Sequence, residues 1–193
     1  MFSIDTKKLL GAAALSLTPV MALAHSGHEA TSMLSGLVSG ALHPLLGLDH
    51  LLALLLVGAL ASQLQGQQRW GVVVAFVGLM GVGFFSAHAG IHAVSSGTVE
   101  TLITTSLVVG ALLLLVGQLA KRSLQNNTLL SRVSAWGMTA FAAFHGVAHG
   151  LEIPAGSALS GFGVGFLAAS FGVMSLMIVA VPLFKRQSSQ AHQ

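Results

Sequence analysis

Apolar residues run in long blocks along this chain, and polar residues collect between the blocks. A first apolar block covers residues 9–23. Five longer ones cover approximately residues 33–62, 70–92, 98–120, 133–151 and 157–184. Each of the five reaches or approaches the ~20 residues that a helix needs to cross the hydrocarbon core of a bilayer. Backbone groups in lipid must be satisfied within the segment, so the blocks read as helices. The expected fold class is all-α: a polytopic membrane helix bundle with about five spans after signal-peptide removal, six hydrophobic segments in the precursor.

The first block has a different character. Lys7 and Lys8 precede it, and Ala22, Leu23 and Ala24 close it with a small-x-small pattern. Those are the charged, apolar and cleavage regions of a secretory signal peptide. The expected organisation is a signal peptide over residues 1–24 and a short periplasmic N-terminus over 25–32. A single transmembrane domain over 33–184 and a cytoplasmic tail over 185–193 follow.

The block at 33–62 is longer than one span needs. Proline removes a backbone donor and breaks or kinks a helix. Pro44 is therefore expected to divide the block into a surface or re-entrant piece and a deeper helix from about Gly47. Orientation follows from the bases. With the mature N-terminus outside, the inner loops hold Arg69, then Lys121, Arg122 and Arg132, then Lys185 and Arg186, and the outer loops hold no Lys or Arg. That is a positive-inside pattern. It points to a mature N-terminus outside and a cytoplasmic C-terminus. Ser32, Gly36 and Gly40, and likewise Ala142, Gly146 and Gly150, fall at four-residue spacing. Small residues so placed let membrane helices approach closely. Oligomeric state stays open, a homo-oligomer included.

Composition narrows the chemistry. Only 7% of residues are charged while 54% are hydrophobic, and the mean hydropathy is +0.85. A soluble domain usually carries about 25% charged residues, so the partner of this surface is a lipid bilayer. The absence of cysteine excludes disulfides, thiolate metal sites and Cys nucleophiles. The bases do not cluster as a nucleic-acid surface requires, and no nucleic-acid partner is expected. Nine histidines stand against five acids and eight bases. Polar residues inside a membrane are expensive and usually functional.

The histidines fall into three groups: His43 with Asp49 and His50; His88 with His92; and His145 with His149 and Glu152. On a helix, residues four apart share a face. The spacing thus predicts that His88 and His92 share one face, and that His145, His149 and Glu152 share another. Counting ~1.5 Å per residue from the inner ends puts His50 and His145 roughly 18 Å up, and His88, His92 and His149 roughly 24–33 Å up. Glu100 and Gln118 are weaker candidates, Glu100 lying near the outer boundary. A lone membrane histidine often serves only as an interhelical hydrogen bond. Six at paired spacing are better explained as ligands. Imidazole with carboxylate suits Ni, Co, Zn or Cu(II). His25, His28 and Glu29, next to a new N-terminal amine, form a candidate periplasmic capture site.

The motifs His43-Pro44-x-x-Gly47-x-Asp49-His50 and Phe144-His145-Gly146-x-Ala148-His149-Gly150-x-Glu152 resemble those of the HupE/UreJ family of bacterial nickel or cobalt permeases. The resemblance implies uptake of Ni²⁺ or Co²⁺ for hydrogenase or urease maturation, with these motif residues on the metal pathway. The ion is then the transported substrate, no cofactor is permanently bound, and the chain is not an enzyme. The expected route runs from His25 and His28 through His88, His92 and His149 to His43, Asp49, His50 and His145. A membrane b-type haem protein and a metal-dependent membrane enzyme are the rival uses of the same histidines.

Overall fold

A computed structural model describes residues 32–92, 94–123, 128–153 and 158–190. The expected signal peptide, the capture residues His25, His28 and Glu29, and His192 lie outside the described residues. Every regular element among the described residues is helical: α1 (Met33–Leu46), α2 (Leu48–Ala61), α3 (Gln67–His88), α4 (Ser96–Ser123), α5 (Thr128–Met138), a 3₁₀ turn (Thr139–Phe141), α6 (Ala142–Leu151) and α7 (Leu159–Gln190). Three stretches are long and apolar enough to cross a membrane alone: Gln67–His88, Ser96–Gly117 and Leu159–Leu183. The pair α1–α2 qualifies jointly but is bent by 78°. The block expected at 133–151 is an α5–3₁₀–α6 run.

The break in the first block falls at Gly47, the expected start of the deeper helix, three residues after the proline itself. Pro44 lies inside α1, and the chain turns at Gly47, whose backbone is extended with φ −79° and ψ 107°. Missing one amide does not end the helix at once, because Gly47 N–H still donates to the His43 carbonyl at 3.1 Å and completes the last turn. Leu51 N–H then donates to the Gly47 carbonyl at 2.8 Å and opens α2. Ser32 and Ser35 form a reciprocal cap at the start of α1.

Small residues join the helices in two tight pairs. Gly36 and Gly40 of α1 lie against the Ala158 and Phe162 backbone, while Gly161 and Gly165 lie against Met33 and Leu37. Gly146 and Gly150 of α6 lie against the backbone of Met80 and Phe84 in α3, and Gly83 against Ala143. A Cβ on Gly146 would stand 2.8 Å from the Phe84 amide nitrogen, so no other residue fits that crossing undisturbed. The spacing read from the sequence thus marks two real interfaces, α1–α7 and α3–α6.

The core between these pairs is built by Val57 and Leu60 of α2, Phe76, Met80 and Phe84 of α3, and Phe166 and Met174 of α7, all essentially buried. Two hydroxyls on the outer surface are satisfied locally. The exposed Thr101 and Thr105 hydroxyls each donate to the carbonyl four residues earlier in α4, at 2.8 and 2.7 Å. In lipid that internal satisfaction is required.

Candidate metal centre

The bend at Gly47 has a direct chemical result. It places His43, in the last turn of α1, beside His50, in the first turn of α2. Their ring centroids are 6.1 Å apart. The end of α6 brings His149, 4.7 Å from His43 and 4.2 Å from His50. Glu152 caps the same helix. One ligand atom from each of His43, His50, His149 and Glu152 lies within 4.8 Å of all the others. The four groups grade outward: His149 is buried, His43 and His50 are partly buried, and Glu152 is exposed.

The hydrogen-bond state of these rings is unusual. Both ring nitrogens of His50 and Nδ1 of His149 are buried without a hydrogen-bond partner. An unpaired buried polar atom costs about 1–3 kcal/mol, so such atoms seldom persist without a use. Asp49 Oδ1 comes within 3.0 Å of His50 Nδ1, but out of line for a hydrogen bond. Its carboxylate steadies that ring electrostatically from an exposed position. Glu152 Oε2 lies 3.6 Å from His43 Nε2. Phe162 and Phe166 of α7 wall the site, with centroids 5.6 Å from His43 and 4.2 Å from His149.

Helix ends add to the field. The C-termini of α1 and α6 both finish at the cluster, and the negative end of a helix dipole favours a cation. The N-terminus of α2 brings the opposite sign, and Asp49 in its first turn offsets it. Three imidazoles and one carboxylate, close enough to grip one small ion, suit a divalent transition metal.

The grouping of residues differs from the expected one in three respects. First, His149 stands level with His43 and His50 rather than in a higher tier, because counting rise along separate helices ignores the bend and the reach of the side chains. Second, His88 and His92 do not share a helical face. α3 ends at His88, and Gly90 turns the chain with φ +74°. Ile91 N–H donates to the Ser86 carbonyl at 2.8 Å and Gly90 N–H to that of Ala87 at 2.9 Å. That is a Schellman ending, and Gly90 is the signal that identifies it in the sequence. His92 Nδ1 instead lies 3.3 Å from its neighbour's carbonyl, that of Val94. Both side chains are exposed. Third, His145 shares the helix of His149 but lies outside the four-group cluster. Its buried ring is 6.1 Å from His50 and 6.0 Å from Phe76, and its Nε2 meets Ser106 Oγ at 3.1 Å.

Two residues gain weight. Glu100 shares a small groove with Glu152, lined also by Ser96, Val99, Ala148 and Leu151. Two carboxylates therefore face one groove, and one of them, Glu152, belongs to the cluster. Ser106 is the other, since nothing in an apolar helix distinguishes a single serine.

The chain was compared with known proteins. The family model described as HupE / UreJ protein matches residues 13–193. Protein HupE of Rhizobium leguminosarum bv. viciae is 40% identical over 158 residues, which cover 82% of this chain and 74% of that protein. No solved structure matches the chain.

Proposed function

The chain belongs to the HupE / UreJ family, and from that premise we propose that it is a multi-pass permease. It admits Ni²⁺, with Co²⁺ as the close alternative, through a histidine- and carboxylate-lined path and supplies the metal for hydrogenase or urease maturation. Its role is transport, not catalysis. The observation that carries this reading is the convergence of His43, His50, His149 and Glu152 within 4.8 Å, three of whose ring nitrogens are buried without a hydrogen bond.

A hydrated ion meets Glu100 and Glu152 first, where carboxylates offset its charge. It sheds waters as His43, His50 and His149 replace them. His145, one turn further along α6 from His149, is the next nitrogen inward. Asp49 holds the orientation of His50. His25, His28 and Glu29 collect metal at the outer face, and His88 and His92 assist there as exposed groups. A path of this kind must bind strongly enough to admit the ion and weakly enough to release it.

The positive-inside distribution supports a periplasmic N-terminus and a cytoplasmic C-terminus, and the small-x-small pattern at Ala22, Leu23 and Ala24 supports a cleaved signal peptide. Gln63, Gln68 and Arg132 line one groove, while Glu100 and Glu152 line the other. Moving a +2 ion inward across ~100 mV releases about 4.6 kcal/mol, enough to drive uptake.

Proteoliposomes test the proposal. With an inside-negative potential, ⁶³Ni²⁺ should accumulate, unlabelled Co²⁺ should compete more strongly than Zn²⁺, and His50→Ala should abolish the signal. Tight binding without accumulation would replace transport with metal sensing or storage.

A further inference from the structure

The Ser106–His145 contact joins α4 to α6 across 39 positions of sequence, and both residues are buried. Ser106 Oγ also lies 2.6 Å from the carbonyl oxygen of Ile103. A serine hydroxyl has one proton, and a carbonyl can only accept. The proton is therefore committed to Ile103, since turning it away would leave two bare oxygens at 2.6 Å. Toward His145, the Ser106 oxygen is then an acceptor, and Nε2 must be the donor. In the neutral ring this leaves Nδ1 with the lone pair.

His50 is the ring shared between two neighbours. It stands 4.2 Å from His149 and, nearly perpendicular at 88°, 6.1 Å from His145. His145 is outside the four-group cluster, yet it is the next imidazole beyond it. An ion leaving the cluster inward can keep His50 while exchanging His149 for His145.

We propose that Ser106 fixes the tautomer of His145, and thereby makes Nδ1 of His145 the receiving ligand for the ion's inward step from the His43–His50–His149–Glu152 cluster. Ser106 is a positioning residue: it touches no metal and acts through the ring it holds. The inference rests on the transport reading given above. Partners of this kind, which set which nitrogen of a ligand histidine is free, typically change affinity or activity by ~10–100-fold when removed.

Two measurements on the full-length protein test it. In proteoliposomes, Ser106→Ala should lower the maximal ⁶³Ni²⁺ uptake rate by about tenfold or more, with the equilibrium affinity for Ni²⁺ unchanged. Ser106→Thr, which keeps the hydroxyl, should restore the rate. In nanodiscs, ¹⁵N spectra of the imidazoles should show the His145 proton on Nε2, identified by the signals lost in His145→Gln, and moving toward Nδ1 in Ser106→Ala. A wild-type ring protonated on Nδ1 overturns the proposal. So does Ser106→Ala with the wild-type rate, or with binding and rate lost together, which would make Ser106 a packing residue. A Ser106→Thr protein that keeps the Nε2 proton without the rate overturns it as well. The wild-type arm separates the two levels: no accumulation by the wild type refutes transport, whereas accumulation with an indifferent Ser106→Ala refutes only the tautomer role.

Discussion

Replacing His50 by alanine is the sharpest test of the cluster, and its size can be worked out in advance. Structural four-ligand sites for a divalent metal bind with about 10–16 kcal/mol, so one ligand's share is about 3 kcal/mol. At 1.4 kcal/mol per tenfold, His50→Ala should weaken Ni²⁺ binding by roughly 100-fold. The fold should survive, because the ring has no hydrogen-bonded nitrogen to orphan a partner. Asp49, the carboxylate that loses its neighbour, is 56% exposed and keeps its water. Asp49→Asn is the internal control. Its carboxylate approaches His50 but is not one of the four grouped ligands, so its loss should cost nearer 10-fold. Titration calorimetry on detergent-purified protein gives both constants, and circular dichroism checks that each variant remains helical. Equal losses for the two variants would put Asp49 in the coordination shell. A folded His50→Ala protein with wild-type affinity would refute the site.

Glu152→Gln should weaken binding at least as strongly as Asp49→Asn, since it removes a grouped ligand and its charge; the same calorimetry decides. His88→Ala combined with His92→Ala should leave the cluster's affinity at the wild-type value, because both side chains are exposed and outside it. Gly146→Ala should cost about 1–3 kcal/mol or more and abolish binding and uptake together, because its methyl meets backbone atoms of Met80 and Phe84. Gly137→Ala, at a position with nothing within 4 Å, should be neutral or stabilising when both glycine variants are melted and followed by circular dichroism.

The apolar blocks made the helices legible, and four-residue glycine spacing located both tight interfaces. Those signals are local and periodic, and membrane packing depends on them. The interruption within 33–62 was also legible, and with it the start of the deeper helix near Gly47, although the turn comes three residues after Pro44. A proline costs one hydrogen bond, and the last turn of α1 closes despite it. The histidine motifs named every member of the cluster, since His43, His50, His149 and Glu152 all lie in them. Sequence spacing could not sort them into tiers, because a bend of 78° decides which rings meet. For His88 and His92 the needed sign was present in Gly90, and its left-handed turn outweighs the four-residue spacing. Ser106 had no sign at all. Its partner lies in another helix, and only the folded chain pairs them.

The glycine seam between α1 and α7 sets the order in which this molecule can be assembled. α1 is made first among the described helices, and the helix it fits is made last. His43 and His50 leave the ribosome early, yet His149 and Glu152 follow about a hundred residues later, and Phe162 and Phe166 later still. At ~5–20 residues per second, the first helix waits several seconds or more for its partner. A nascent chain therefore carries loose histidines but no completed cage. Metal capture becomes a property of the finished protein, and a chain cut short before Leu159 inserts helices without a working site.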